Sequence, residues 1–141
     1  MSPPTSSRQW RVVAYPSVDF DPFKTFNLED SPIPDLKANQ VLVKTTHFSN
    51  DPAQRTWVTD KPANRHYTQP VRVGDLMNAI CMGVIAASRH SEFKEGDRVS
   101  GAWGWREYVV LDPSKLGGLG QLRKLPEGFD PSDAMALGLT V

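Results

Sequence analysis

Cysteine and histidine are the side chains best suited to ligate a transition metal or to serve as nucleophile and base. The chain has one cysteine, Cys81, and three histidines, His47, His66 and His90. No two of the four stand at the C-x-x-C or H-x-x-x-H spacing that brings ligands onto one tetrahedral centre. A metal site is therefore not expected. Cys81 has no cationic neighbour in sequence to lower its pKa, so it reads as a small apolar filler. No G-x-S-x-G elbow is present to raise a serine nucleophile. Gly117-Gly118-Leu119-Gly120 could suggest a phosphate cradle, but Lys124-Leu125-Pro126 follows where a dinucleotide unit would open a helix. That segment reads as a linker. What remains is a set of aromatic and polar residues on expected loops: Asn50, Arg55, Trp57, Tyr67, Asn78, Trp103 and Trp105. Taken singly, each reads as packing or surface rather than substrate contact, and none is assigned as catalytic.

The elements that must position these residues are short and β-rich. Met82–Leu111 holds three apolar runs, beginning at Val84, Arg98 and Trp105, separated by turn chemistry such as Glu95-Gly96-Asp97. In Trp105-Arg106-Glu107-Tyr108 the apolar residues flank two charged ones, which predicts a strand with one buried and one wet face. Earlier strands are expected at Gln9–Tyr15, Phe23–Leu28 and Val41–Phe48, the last being the richest in β-branched residues. Glu29–Asn39 contains Pro32 and Pro34 and reads as an extended connector. Asp51-Pro52 has the order of a helix cap and first helical residue, predicting a short helical turn through Trp57. Thr59–Pro70 is a polar loop of the kind that carries function on a rigid scaffold. Asp75–Ile80 is left open between turn and strand. A short strand is expected at Leu122–Leu125. Asp130-Pro131 opens a helix that is barely two turns old at Val141.

Composition narrows the function classes. The chain of 141 residues is the size of one domain, with 12 prolines and 10 glycines. Its 16 basic and 16 acidic residues cancel and form no block, so neither a nucleic acid nor a membrane surface is an expected partner. The apolar runs are too short to span a bilayer, and Met1–Trp10 lacks the apolar core of a secretory signal. With a single cysteine, the expected compartment is the cytoplasm.

Six segments, in order, carry a resemblance. They are Val41-Leu42-Val43-Lys44, Ser49–Trp57, Val73-Gly74-Asp75-Leu76-Met77, Phe93–Asp97, Gly104–Val110 and Ala136–Thr140. Together they resemble the N-terminal, GroES-like domain of the zinc-independent medium-chain dehydrogenases/reductases, the branch with alkenal/enone double-bond reductases and prostaglandin reductases. The resemblance implies a mainly β, GroES-like partial barrel with short helices over residues 9–128. Residues 1–8 would form a disordered tail, and residues 129–141 the start of the helix leading into a Rossmann cofactor domain that this chain lacks.

In that family the cofactor is NADP(H), the substrate is a small molecule, and hydride passes to the β-carbon of an α,β-unsaturated carbonyl without a metal. The full-length family enzyme would be a homodimer. Some members carry substrate-facing tyrosines at the positions held here by Ala53 and, just before the strand near Val84, Ile80. The resemblance therefore makes Asn50, Ala53, Tyr67, Asn78 and Ile80 the candidate substrate-binding residues, with Tyr67 and Asn78 as replacements for the missing tyrosines. It also implies a chain ending at Val141 that binds no NADP(H) by itself and is inactive alone. The competing expectation is a non-catalytic, stand-alone GroES-like binding or interaction module.

Overall fold

A computed structural model describes residues 3–62 and 69–130. The fold is mainly β, as expected. β1 (Ser6–Val12) and β2 (Phe26–Pro32) form an antiparallel hairpin. β3 (Val41–Phe48), β4 (Ile80–Ser88), β5 (Arg98–Ala102), β6 (Tyr108–Leu111) and β7 (Arg123–Lys124) form an antiparallel sheet in the order β6-β3-β4-β5-β7. Two helical turns, α1 (Pro22–Thr25) and α2 (Gln54–Trp57), lie in the connections.

β1 joins the hairpin to the sheet. The Trp10 amide donates to the Trp105 carbonyl at 3.0 Å, and the Glu107 amide donates to the Arg8 carbonyl at 3.0 Å. On its far half β1 takes up the 74–77 segment, where the Met77 amide donates to Trp10 and the Val12 amide to Asp75. The two sheets thus curl toward each other as a partial barrel. Register shifts between Leu42 and Val43 and between Thr45 and His47 bend β3 against β4, the way bulges turn a sheet corner. Opposite that bend Gly83 lets the strands close up, because a Cβ there would lie 2.5 Å from the Lys44 carbonyl oxygen.

Two apolar clusters hold the fold together. Val41, Val43, Cys81, Ile85, Val99, Trp103 and Val109 fill the inside of the main sheet. Val12, Trp57, Val58, Val71 and Met77 fill the space between β1 and α2. Trp105 packs against both clusters.

Several local expectations are corrected. β1 begins at Ser6, inside the stretch read as a tail, and ends at Val12; beyond it the Val13 and Ala14 amides turn to the Thr25 carbonyl. Phe23–Leu28 is not one strand: Asp21 caps α1, its carboxylate accepting from the Phe23 amide at 2.9 Å, and β2 starts only at Phe26. β2 then runs through Glu29–Pro32, the start of the expected connector. Arg106 is not on a wet face but half-buried. The helix expected to open at Asp130-Pro131 lies outside the described residues.

The hairpin is clamped by charge. Arg11 Nε donates to Glu29 Oε1 at 2.9 Å and Gln9 Nε2 at 2.8 Å, and these bonds, Arg11's foremost, hold the Glu29 carboxyl below its ordinary value of 4.5. A carboxylate with a lower pKa folded than unfolded adds stability above the unfolded value and loses it as pH falls through the folded one. Glu107 beside Arg8 has the same sign. Glu29→Gln is therefore expected to lower the thermal midpoint at about pH 7, and this deficit shrinks at an acidic pH below the carboxyl's ordinary value of 4.5. An equal deficit at both pH values, followed by differential scanning calorimetry, would contradict the clamp.

Candidate functional site

The hairpin, α1 and α2 enclose an open cleft of about 720 Å³. Its walls are Trp10 of β1, Phe20 and Phe23 around α1, Phe26 of β2, Met77, and Trp105 before β6. The aromatic rings are ordered as a series. Phe20 meets Phe26 edge-on at 6.3 Å, Phe26 meets Trp105 at 5.2 Å, and Trp105 meets Phe48 at 5.8 Å. Phe23 is 89% exposed, so the cleft opens to solvent on the α1 side. Polar groups come from the Asn50–Arg55 turn: Asn50, Asp51, Gln54 and Arg55 all line the cleft.

That turn is held from beneath. The Gln54 side chain accepts from the Asp51 amide and donates Nε2 to the Asn78 carbonyl at 3.1 Å. The expected Asp51 cap is not formed: α2 starts at Gln54 with Ala53 at its cap position and no side-chain cap, and Gln54 instead reaches back to the Asp51 amide. The Ser49 amide donates to the Ile80 carbonyl at 2.8 Å, and Trp105 Nε1 donates to the Ser49 carbonyl at 3.2 Å. Arg55 reaches across the mouth, donating Nη2 to the Ser17 carbonyl at 3.0 Å with its guanidinium 5.8 Å over the Phe20 ring. An apolar cavity with a few fixed polar groups is the ordinary form of a small-molecule site.

Of the residues expected at the site, Asn50 lines this cleft. Asn78 lines a smaller cavity on the other side of Met77, which touches both. Ala53 packs against the second apolar cluster, and Ile80 pairs with Ala102 at the start of β4; neither lines the cleft. Tyr67 lies outside the described residues. Sequence reading missed Trp10, Phe20, Phe23 and Phe26, although the recurrence of aromatics in the first two segments was a usable signal.

Cys81 is fully buried, its thiol donating toward the Ala79 and Gly104 carbonyls, and burial pushes its pKa up from 9.0 to about 12. Iodoacetamide at about pH 8 should leave the folded protein unmodified and alkylate Cys81 only after denaturation; stoichiometric labelling of the folded form would contradict this. Among the described residues no three His, Cys, Asp or Glu side chains gather as metal ligands. Gly118–Gly120 forms a single 3₁₀ turn followed by β7, and a Cβ at Gly117, Gly118 or Gly120 would meet nothing within 4 Å. That loop does not fit a dinucleotide, which needs a strand, a close backbone approach and a helix.

The family described as the N-terminal domain of oxidoreductases matches residues 8–119. The NADPH-dependent curcumin reductase of Escherichia coli is 30% identical over 114 residues, covering 81% of this chain and 32% of that protein. An uncharacterized membrane protein of Saccharomyces cerevisiae is 35% identical over 106 residues, covering 74% of this chain and 28% of that protein. No helix among the described residues is long and apolar enough to cross a membrane. The crystal structure of CurA from Vibrio vulnificus in complex with NADPH superposes with a TM-score of 0.72 at 25% identity, over 94% of this chain and 36% of that one. The chain thus spans about a third of the length of these relatives. By its matched residues, its β architecture and these likenesses, the chain belongs to the N-terminal domain family of the medium-chain oxidoreductases.

Proposed function

We propose that this chain supplies the substrate wall of an NADP(H)-dependent reductase that saturates the C=C bond of α,β-unsaturated carbonyl compounds. The observation that carries the reading is the aromatic cleft of Trp10, Phe20, Phe26 and Trp105 with Asn50 and Arg55 at its polar edge. A conjugated enone is flat, so it can stack on these rings while its carbonyl oxygen takes a hydrogen bond from the Asn50 amide or the Arg55 guanidinium. A nicotinamide cofactor, when bound, supplies the hydride that adds to the β-carbon. The carbonyl oxygen then carries developing negative charge, which the Asn50 and Arg55 donors stabilise. A solvent proton completes the saturated product at the α-carbon. The rings keep water from the conjugated face and fix its orientation. The curcumin reductase of Escherichia coli and the NADPH complex of CurA support the choice of cofactor and reaction class.

The test is an NADPH-dependent assay on the native-length protein with an aryl enone, with products identified by mass spectrometry. The saturated ketone is expected, and the Asn50→Ala, Arg55→Gln double variant, which removes both donors, should lower kcat/KM by about tenfold or more. An allylic alcohol as product, or unchanged kcat/KM in the variant, would overturn the reading.

A further inference from the structure

We propose that Arg106 anchors a second binding site, one that takes a carboxylate group in the cavity of about 270 Å³ bounded by Asp75, Met77, Asn78, Trp103 and Gly104. This cavity lies on the opposite side of Met77 from the aromatic cleft, and the proposal does not rest on the reading of that cleft. The Arg106 side chain donates Nε to the Trp103 carbonyl. Its two terminal nitrogens have no protein acceptor among the described residues, and no ion pair there includes it. Every other arginine with a described side-chain contact is differently placed. Arg8 and Arg11 pair with Glu107 and Glu29, while Arg55, Arg72, Arg89 and Arg98 bond backbone carbonyls through a terminal nitrogen.

Arg106 is half-buried, and a guanidinium partly withdrawn from water with no carboxylate paired to it is costly. Burial accordingly holds the Arg106 pKa below its ordinary value. The free edge of the fork presents parallel N–H donors, the pattern that matches a carboxylate bidentately. Asp75 also lines the cavity, with its Oδ2 accepting from the Arg72 amide at 2.8 Å. Its negative charge disfavours any anion beside it and a phosphate dianion most, so a singly charged carboxylate is penalised least. The Asn78 side chain, on the same cavity, adds an amide that can donate to the ligand.

The experiment is a titration of the native-length protein with acetate, phosphate or chloride at matched ionic strength, following the thermal midpoint and the Arg106 Nε–H resonance. Acetate is expected to raise the midpoint saturably by about 2–4 °C and to shift that resonance, with chloride giving neither. Arg106→Gln should abolish the rise, while Arg89→Gln, on a surface arginine that bonds Leu36, should keep it. A saturable response to phosphate but not acetate, or an unmoved Arg106 resonance in wild type, would overturn the proposal. The resonance needs no variant, so a misfolded Arg106→Gln protein leaves the test decisive.

Discussion

Replacing Trp105 with alanine should cost about 2–4 kcal/mol of folding stability, below the full range for a buried aromatic because Trp105 is partly buried and borders the open cleft. Trp105 packs against both apolar clusters, stacks with Phe26 and Phe48, and ties its indole N–H to the Ser49 carbonyl. It is therefore the joint between the main sheet and the β1–α2 side, and the floor of the aromatic cleft as well. Trp105→Phe keeps an aromatic ring at the joint but loses the hydrogen bond and part of the indole's contact, so it should cost about 1–2 kcal/mol. Urea titrations of both variants check the ordering. A Trp105→Ala protein as stable as Trp105→Phe would mean the two clusters are held together by something else.

Gly104→Ala is expected to be comparably damaging, at about 3–5 kcal/mol, through two separable causes. The residue has φ +79°, and a Cβ there would stand 2.3 Å from the Met77 carbonyl oxygen. Gly96 also has positive φ, at +90°, but a Cβ there meets nothing within 4 Å. Gly96→Ala thus carries only the backbone strain of about 1–2 kcal/mol. The difference between the two variants measures the contact with Met77, whose backbone separates the aromatic cleft from the Arg106 cavity. Equal losses in the two variants would show that the contact relaxes away at no cost.

Much of this arrangement was legible in the sequence where one signal dominated. Val41–Phe48 is a strand from its first residue to its last, because its β-branched run pairs with β4 along its length and with β6 over Val41–Lys44. The Asp-Pro signature at Asp51-Pro52 announced a helical turn, but the turn begins at Gln54 and Asp51 does not cap it. The same signature at Asp21-Pro22, which does cap a helical turn, was hidden by the aromatic run behind it. Charge–apolar patterning placed Arg106 in water because periodicity assumes a regular strand. Gly104 instead turns the chain, and regular pairing resumes only at Tyr108, so Arg106 swings inward.

The candidate site was less legible for a different reason. Asn50 lies in a segment that carries the resemblance, but the rings around it come from β1, α1, β2 and the turn before β6. They are brought together by backbone pairing over nearly a hundred residues of separation, which no local spacing records. Ala53 and Ile80 followed from the positions of tyrosines in other family members, and here their side chains belong to packing and to β4.

The four tryptophans offer the most direct test of the cleft as the place where substrate sits. Trp10 and Trp105 line it, whereas Trp57 and Trp103 are buried in the two apolar clusters. Titrating an aryl enone into the ¹⁵N-labelled native-length protein should shift the indole N–H resonances of Trp10 and Trp105 together, saturably, and leave Trp57 and Trp103 in place. Shifts confined to Trp57 or Trp103, or no saturable shift at Trp10 and Trp105, would contradict the assignment of the aromatic cleft as the substrate wall.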